Sequence, residues 1–132
     1  MFTAMIVDDE EWALTGAMHV FPFSDAGFVP ILATTDSAEA ADCLLRKKPD
    51  LVIADIRMPE VSGLDLLHLA RERGVESIFV LLSGYADFLY AQQAISYGAF
   101  EYCLKPIRKE QAQELLTKAA GALMRKQGGE GA

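Results

Sequence analysis

The fold is decided by residues 3–9, which read TAMIVDD, and by residues 51–55, which read LVIAD. Each is a short apolar run that ends in aspartate. Uninterrupted apolar runs of this length are typical of strands buried on both faces of a parallel sheet. The chain contains three further short apolar runs of strand length. The predicted strands are residues 3–7, 28–33, 51–54, 78–82 and 100–104.

Segments with helical spacing lie between these runs, and two of them carry clear end signals. Asp36 followed by Glu39 predicts a capping box at the start of the second helix. Ser62 predicts the cap of the third helix, and Gly74 is placed to end it.

The sequence signals for the other three helices differ in strength. The first begins near Glu10, and the apolar run through residues 18–23 blurs its end. Asp87 predicts the cap of the fourth helix, which ends at Gly98. The fifth helix has the clearest apolar stripe. Its members are Ala112, Leu115, Leu116, Ala119, Ala122 and Leu123.

Five strands alternating with five helices predict an α/β fold, a doubly wound parallel sheet covered on both faces. Pro30 lies inside the second strand and removes one donor from the ladder, so that strand belongs at an edge. The flavodoxin-like strand order 2-1-3-4-5 also places the second strand at an edge. We therefore expect that order.

Composition limits the classes of function. The chain has 132 residues, which predicts one domain, and 12 basic against 19 acidic residues give a net charge of −7. That acidity argues against direct nucleic-acid contact by this segment, because phosphate binding needs clustered lysine and arginine. The hydrophobic fraction of 52% excludes a disordered acidic tail.

The sequence also suggests a location and a boundary. The uncharged runs are too short for a membrane span, and we expect no signal peptide. Cys43 and Cys103 are far apart, which favours two buried, reduced thiols in a cytoplasmic protein. Residues 125–132 are rich in glycine and predict a flexible linker or an artificial chain end.

Polar residues stand at four of the predicted strand ends, where ligands bind in open parallel sheets. They are Asp8-Asp9, Asp55, Ser83-Gly84 and Lys105-Pro106. Each has an ordinary structural explanation: acids favour a helix start, Ser83-Gly84 can be a turn, and Lys105 can be a solvated lysine. Their joint occurrence at four strand ends favours a functional site.

The chemistry of these groups narrows what the site can bind. Two carboxylates about 5 Å apart repel by about 3 kcal/mol at an effective dielectric of ~20, so three of them call for a cation. Oxygen ligands of this kind suit Mg²⁺. A hard cation, Lys105 and the Ser83 hydroxyl together can hold a phosphoryl group, and a carboxylate can accept it as an acyl phosphate.

These residues resemble the receiver domain of bacterial two-component response regulators over about residues 3–124. The matching pieces are Val7-Asp8-Asp9-Glu10, Asp55-Ile56-Arg57-Met58-Pro59 with Gly63, Ser83-Gly84-Tyr85, and Tyr102 with Lys105-Pro106. The resemblance implies a receiver domain at residues 1–124 that takes a phosphoryl group from a sensor histidine kinase. It implies a signalling switch rather than an enzyme, with self-phosphorylation and autodephosphorylation as its only chemistry.

The resemblance also implies a role for each site residue. Asp55 would be the phosphoacceptor. Asp8, Asp9 and Asp55 would hold Mg²⁺ with the backbone carbonyl of Arg57. Lys105 would contact the phosphorylated carboxylate, and the Lys105–Pro106 peptide would be cis. Ser83 would move to meet the phosphoryl oxygens, and Tyr102 would then turn inward as an aromatic switch.

A similar resemblance extends to the expected output. The segment from Ser83 to Ala91, with Lys105-Pro106-Ile107, is similar to regulators that carry an AraC-type helix-turn-helix. It implies a DNA-binding output domain beyond residue 132, controlled through the face of the fourth helix, fifth strand and fifth helix. Dimerisation on phosphorylation is a further expectation. Trp12 stands three residues after Asp9, and we expect it near the metal site.

Other functions remain open at this point. The domain could be a stand-alone receiver in a phosphorelay, or a receiver that never takes phosphate. A small-molecule phosphatase of the haloacid-dehalogenase type needs an Asp-x-Asp nucleophile that residues 8–10 do not supply. A nucleotide or flavin module is a third class, but no phosphate-binding glycine loop is evident.

Overall fold

The structure, a computed structural model, describes residues 1–84 and 88–131. Strands and helices alternate along the chain, as predicted. The strands are β1 (Phe2–Val7), β2 (Phe28–Thr34), β3 (Leu51–Asp55), β4 (Ile78–Ser83) and β5 (Glu101–Leu104). The helices are α1 (Glu11–Val20), α2 (Ser37–Lys47), α3 (Gly63–Glu72), α4 (Phe88–Ser96) and α5 (Lys109–Gly131).

The five strands form one parallel sheet in the order β2-β1-β3-β4-β5, which confirms the predicted topology. Pro30 lies on the edge strand, where its missing donor is tolerated. The register also shifts there, since Ala4 pairs with Pro30 and Met5 pairs with Leu32, which leaves Ile31 as the extra residue of a bulge.

Both faces of the sheet are buried, which explains the uninterrupted apolar strands. In β1, Met5 and Val7 join a core that includes Leu44 of α2 and Leu67 of α3. The alternate residues of β1 join a second core on the other face, with Leu116 of α5. The sheet is therefore the middle of three layers, and its carboxyl edge is left uncovered by the two cores.

The predicted helix ends are largely confirmed. The Asp36 side chain caps α2 by accepting hydrogen bonds from the backbone N–H groups of Ala38 and Glu39, but within the described residues the Glu39 side chain makes no return bond to complete the predicted capping box. Ser62 caps α3 in a capping box with Asp65, a partner that the sequence analysis did not name. Gly74 and Gly98 take positive φ angles of 70° and 84° after α3 and α4. The proposed Asp87 cap lies outside the described residues.

The last helix continues past residue 125, where the sequence predicted a linker. The Lys126 ammonium lies 2.7 Å from the Glu76 carboxylate, so this part of α5 contacts the loop before β4. The linker assignment for residues 125–132 stays a prediction. Within residues 1–84 and 88–131, no helix has both the length and the apolar character needed to cross a bilayer.

Candidate functional site

Three aspartates meet at the carboxyl edge of the sheet. Asp8 directly follows β1, Asp55 is the last residue of β3, and both are buried. Asp9 is exposed beside them. One carboxylate oxygen from each of the three lies within 4.8 Å of the others. The strand order explains this meeting, because β1 and β3 are neighbours in the sheet and end at the same level.

Lys105 brings a positive charge to the same place. Its ammonium donates to Oδ2 of Asp8 at 2.7 Å and to Oδ2 of Asp55 at 3.3 Å. Its backbone N–H donates to the carbonyl of Ser83 at 2.7 Å, which ties the ends of β4 and β5 together. The Lys105–Pro106 peptide is cis, as the resemblance implies.

The second oxygen of each buried carboxylate is held by the backbone. Oδ1 of Asp8 accepts from the N–H of Glu10 at 3.0 Å. Oδ1 of Asp55 accepts from the N–H of Arg57 at 3.3 Å. Each carboxylate is thus oriented by one backbone bond and one lysine bond, so the two acids are fixed before any ligand binds.

The charges in this cluster are not balanced. Burial raises the pKa of Asp55, and the neighbouring Asp8 adds to the increase, which Lys105 only partly offsets. Burial and Asp8 also raise the pKa of Asp9. Burial alone would lower the pKa of Lys105, but its bonds to Asp8 and its attraction to Asp55 outweigh that effect and raise it. An added cation would relieve the excess negative charge.

An open cavity of about 820 Å³ connects this cluster to the surface. Asp9, Asp55 and Lys105 line its polar end, and Arg57 lies among them. Trp12, which is 75% exposed, lines the same cavity from α1. The cavity leaves room at Asp55 for a charged group larger than water.

The two predicted switch residues are placed differently. Ser83 ends β4 at the correct edge of the sheet, but its side chain is fully buried. Tyr102 lies in β5, half-buried, and packs against the core formed with α2 and α3. Tyr85, which completes the matching motif, lies outside the described residues. The hydroxyl of Ser83 therefore lies at the edge of the sheet that carries the cluster but is enclosed in this structure.

Gly63 supports the site through a close backbone contact that the sequence does not indicate. Its N–H donates to the carbonyl of Ile56 at 3.2 Å. A Cβ atom at this position would lie 2.5 Å from the carbonyl oxygen of Asp55. The start of α3 therefore packs directly on the end of β3. The only signal in the sequence is the glycine itself, eight residues after Asp55, which has no side chain to indicate the contact.

The chain is similar to known proteins over most of its length. The family profile described as the response regulator receiver domain matches residues 4–117. The transcriptional regulatory protein HptR of Staphylococcus aureus (strain NCTC 8325) is 33% identical over 127 residues, covering 96% of this chain and 50% of that protein. An uncharacterized response regulatory protein of Staphylococcus epidermidis is 34% identical over 116 residues, covering 88% and 45%.

A solved structure is similar over nearly the whole chain. It is the REC domain of AraT, a response regulator from Geobacillus stearothermophilus, with a TM-score of 0.87 and 28% identity. The match covers 96% of this chain and 98% of that one. By contrast, the chain spans about half the length of the curated relatives that it matches.

Proposed function

The chain belongs to the response regulator receiver domain family, and on that premise we propose that Asp55 accepts a phosphoryl group and switches the domain. Receiver domains are typically signalling domains that partner with sensor histidine kinases. The observation that carries the proposal is the Asp55 carboxylate itself. It is buried, oriented by the Arg57 N–H, and within 3.3 Å of the Lys105 ammonium at the end of an open cavity.

The proposed reaction transfers a phosphoryl group from a phosphohistidine of the kinase. A carboxylate oxygen of Asp55 forms a bond to phosphorus as the P–N bond breaks, and the histidine nitrogen keeps the electron pair and takes up a proton. Lys105 stabilises the charge that develops on the phosphoryl oxygens, since its ammonium already lies beside Asp55.

A divalent cation fits this donor set. Asp8, Asp9 and Asp55 would hold Mg²⁺, with the backbone carbonyl of Arg57 as the further ligand. When bound, the ion neutralises charge on the carboxylates and on the phosphoryl group. Burial, with Asp8 as a further cause, raises the pKa of Asp9 and Asp55, and a bound cation would favour the charged form of both carboxylates.

The output is proposed to act through the face of α4, β5 and α5. Ser83 would turn toward the phosphoryl oxygens and Tyr102 would follow it inward. Exposed apolar side chains on this face, Ile95 and Leu104, support a partner surface there. Because the chain spans about half of relatives that include a transcriptional regulatory protein, the partners proposed are a DNA-binding output domain and a second copy after phosphorylation.

The test is incubation with acetyl phosphate and Mg²⁺, followed by intact-mass measurement. We expect one phosphate adduct on the wild-type chain and none on Asp55→Asn. Asp42→Asn is the matched control, because Asp42 is an exposed acid on α2 whose partner is Arg46, 3.6 Å away. It should be labelled like the wild type. Equal labelling of Asp55→Asn would refute the assignment of the phosphoacceptor.

A further inference from the structure

Arg57 connects the acidic cluster to α4, because its backbone N–H bonds to Asp55 and its side chain lies against Tyr90. We infer that its contact with Tyr90 holds α4 in the resting position, and that phosphorylation of Asp55 releases α4 by drawing the Arg57 guanidinium onto the phosphoryl oxygens. The inference rests on the proposed function of Asp55. It assigns to Arg57 a positioning role through its side chain, in addition to the proposed use of its backbone carbonyl.

Arg57 contacts both α4 and the phosphoacceptor. Its guanidinium carbon lies 5.0 Å from the centre of the Tyr90 ring, which is a cation–π contact. Its backbone N–H bonds to Asp55, and its residue lines the same cavity as Asp55 and Lys105. One residue therefore touches both the phosphoacceptor and the helix that the output face includes.

Few side chains of α4 are buried between Leu89 and Ser96. From Leu89 to Ser96, Ala94 is the only residue of the described helix that is fully buried, and Leu89 and Ile95 are largely exposed. Over residues 89–96, where Tyr90 is partly buried, this limited burial lowers the cost of moving the helix. Individual contacts such as the one between Arg57 and Tyr90 therefore contribute a larger share of the interactions that keep α4 in its resting position.

The far end of α4 is held more firmly. The Arg71 guanidinium donates to the carbonyl of Gly98, just after α4, and also to the carbonyls of Val75 and Ser77. The Tyr97 ring stacks on His68 of α3, with 4.8 Å between ring centres. Since these contacts fix the carboxyl end of α4, release of Tyr90 would pivot the amino-terminal half.

The chemistry explains why phosphorylation would change the partner of Arg57. A phosphoryl group adds one to two negative charges and several acceptor oxygens beside Asp55. A guanidinium binds such oxygens with paired, charge-assisted hydrogen bonds, which are stronger than its contact with the partly buried ring of Tyr90. Arg57 then leaves Tyr90 for the phosphoryl group. This route from the site to α4 requires no movement of Ser83.

The test is amide hydrogen exchange of residues 88–96, with and without acetyl phosphate and Mg²⁺, while intact mass records phosphorylation of the same samples. The variants are Tyr90→Leu, Arg57→Gln and the double variant. A contact of this kind predicts that each single variant exchanges about two- to fivefold faster than wild type before phosphorylation. The double variant should be no faster than either one, because both remove the same contact.

Tyr90→Phe is the matched control, because it keeps the ring that faces Arg57. It should exchange like the wild type at rest and accelerate after phosphorylation, whereas Tyr90→Leu and Arg57→Gln should accelerate little further. If the wild-type chain is phosphorylated but all variants exchange their amide hydrogens at the wild-type rate, the inference about Arg57 and Tyr90 is wrong while the proposed function stands. Tyr90→Phe behaving like Tyr90→Leu would also overturn the inference. Absence of a phosphate adduct on the wild-type chain would instead overturn the proposed function.

Discussion

Replacing Gly63 with alanine is expected to push Asp55 out of position. The added Cβ would lie 2.5 Å from the carbonyl oxygen of Asp55, and 3.1 Å from both its carbonyl carbon and the Cα of Ile56. These are backbone atoms of β3 and the loop after it, which cannot rotate away as a side chain can. A separation of at least 3.0 Å is needed, so the end of β3 or the start of α3 must move by at least 3.0 − 2.5 = 0.5 Å.

The size of the effect follows from this shift. Overpacking of a tight contact costs about 1–3 kcal/mol, and an alanine in place of a helical glycine returns about 0.5–1 kcal/mol. We therefore expect a net loss between about 0 and 2.5 kcal/mol in the free energy of unfolding, centred near 1 kcal/mol. Asp55 moves with β3, and its 3.3 Å contact with Lys105 has little room to lengthen. Since a 1 Å misplacement can cost about a hundredfold, phosphorylation should slow by roughly tenfold.

The assay combines urea denaturation with the rate of phosphate incorporation from acetyl phosphate, measured by intact mass. Gly121→Ala is the matched control. A Cβ there meets the end of the flexible Arg125 side chain at 3.4 Å, far from the acidic cluster, so this variant should be as stable as wild type or slightly more stable. Its phosphorylation rate should be unchanged. A Gly63→Ala protein with wild-type stability and rate would refute the claim that α3 positions Asp55.

Three further outcomes are expected. The pKa of Asp55 is raised above 3.8 by folding, so its ionisation reduces stability as pH rises through and beyond that value. Asp55→Asn should therefore raise the melting temperature at pH 7 without Mg²⁺, and thermal melts at falling pH should show this advantage disappearing. Mg²⁺ should change the emission of Trp12, the single tryptophan, and an unchanged spectrum at saturating Mg²⁺ would contradict its placement beside the site. Leu116→Ala should lower the free energy of unfolding by about 2–5 kcal/mol, because Leu116 is 1% exposed, whereas the same change at the half-exposed Leu104 should cost far less in parallel denaturation curves.

The strand order and the acidic cluster could be predicted from the sequence because both follow from short-range signals. A short, uninterrupted apolar run indicates a strand of a parallel sheet, and the residue after such a strand lies at the carboxyl edge. Asp8, Asp55 and Lys105 were found in this way. Pro30 indicated that β2 lies at an edge of the sheet. Gly74 and Gly98 indicated where α3 and α4 end.

The contacts that depend on how helices rotate and approach the sheet could not be predicted. Arg57 and Tyr90 are far apart in sequence, and nothing in either residue indicates that one faces the other. The close approach of Gly63 depends on the path of the loop before α3. The fully buried side chain of Ser83 depends on packing around the end of β4.

The separation of Lys105 from Asp8 by 97 residues has a consequence for how the protein is made. During synthesis, the strands that carry Asp8 and Asp55 emerge well before β5. Until β5 joins the sheet, the carboxylates of Asp8 and Asp55 come together without the ammonium of Lys105. Their mutual repulsion then opposes the pairing of β1 with β3. A ribosome-bound chain that has not yet released β5 is therefore expected to lack the site, even if its first four strands have already associated.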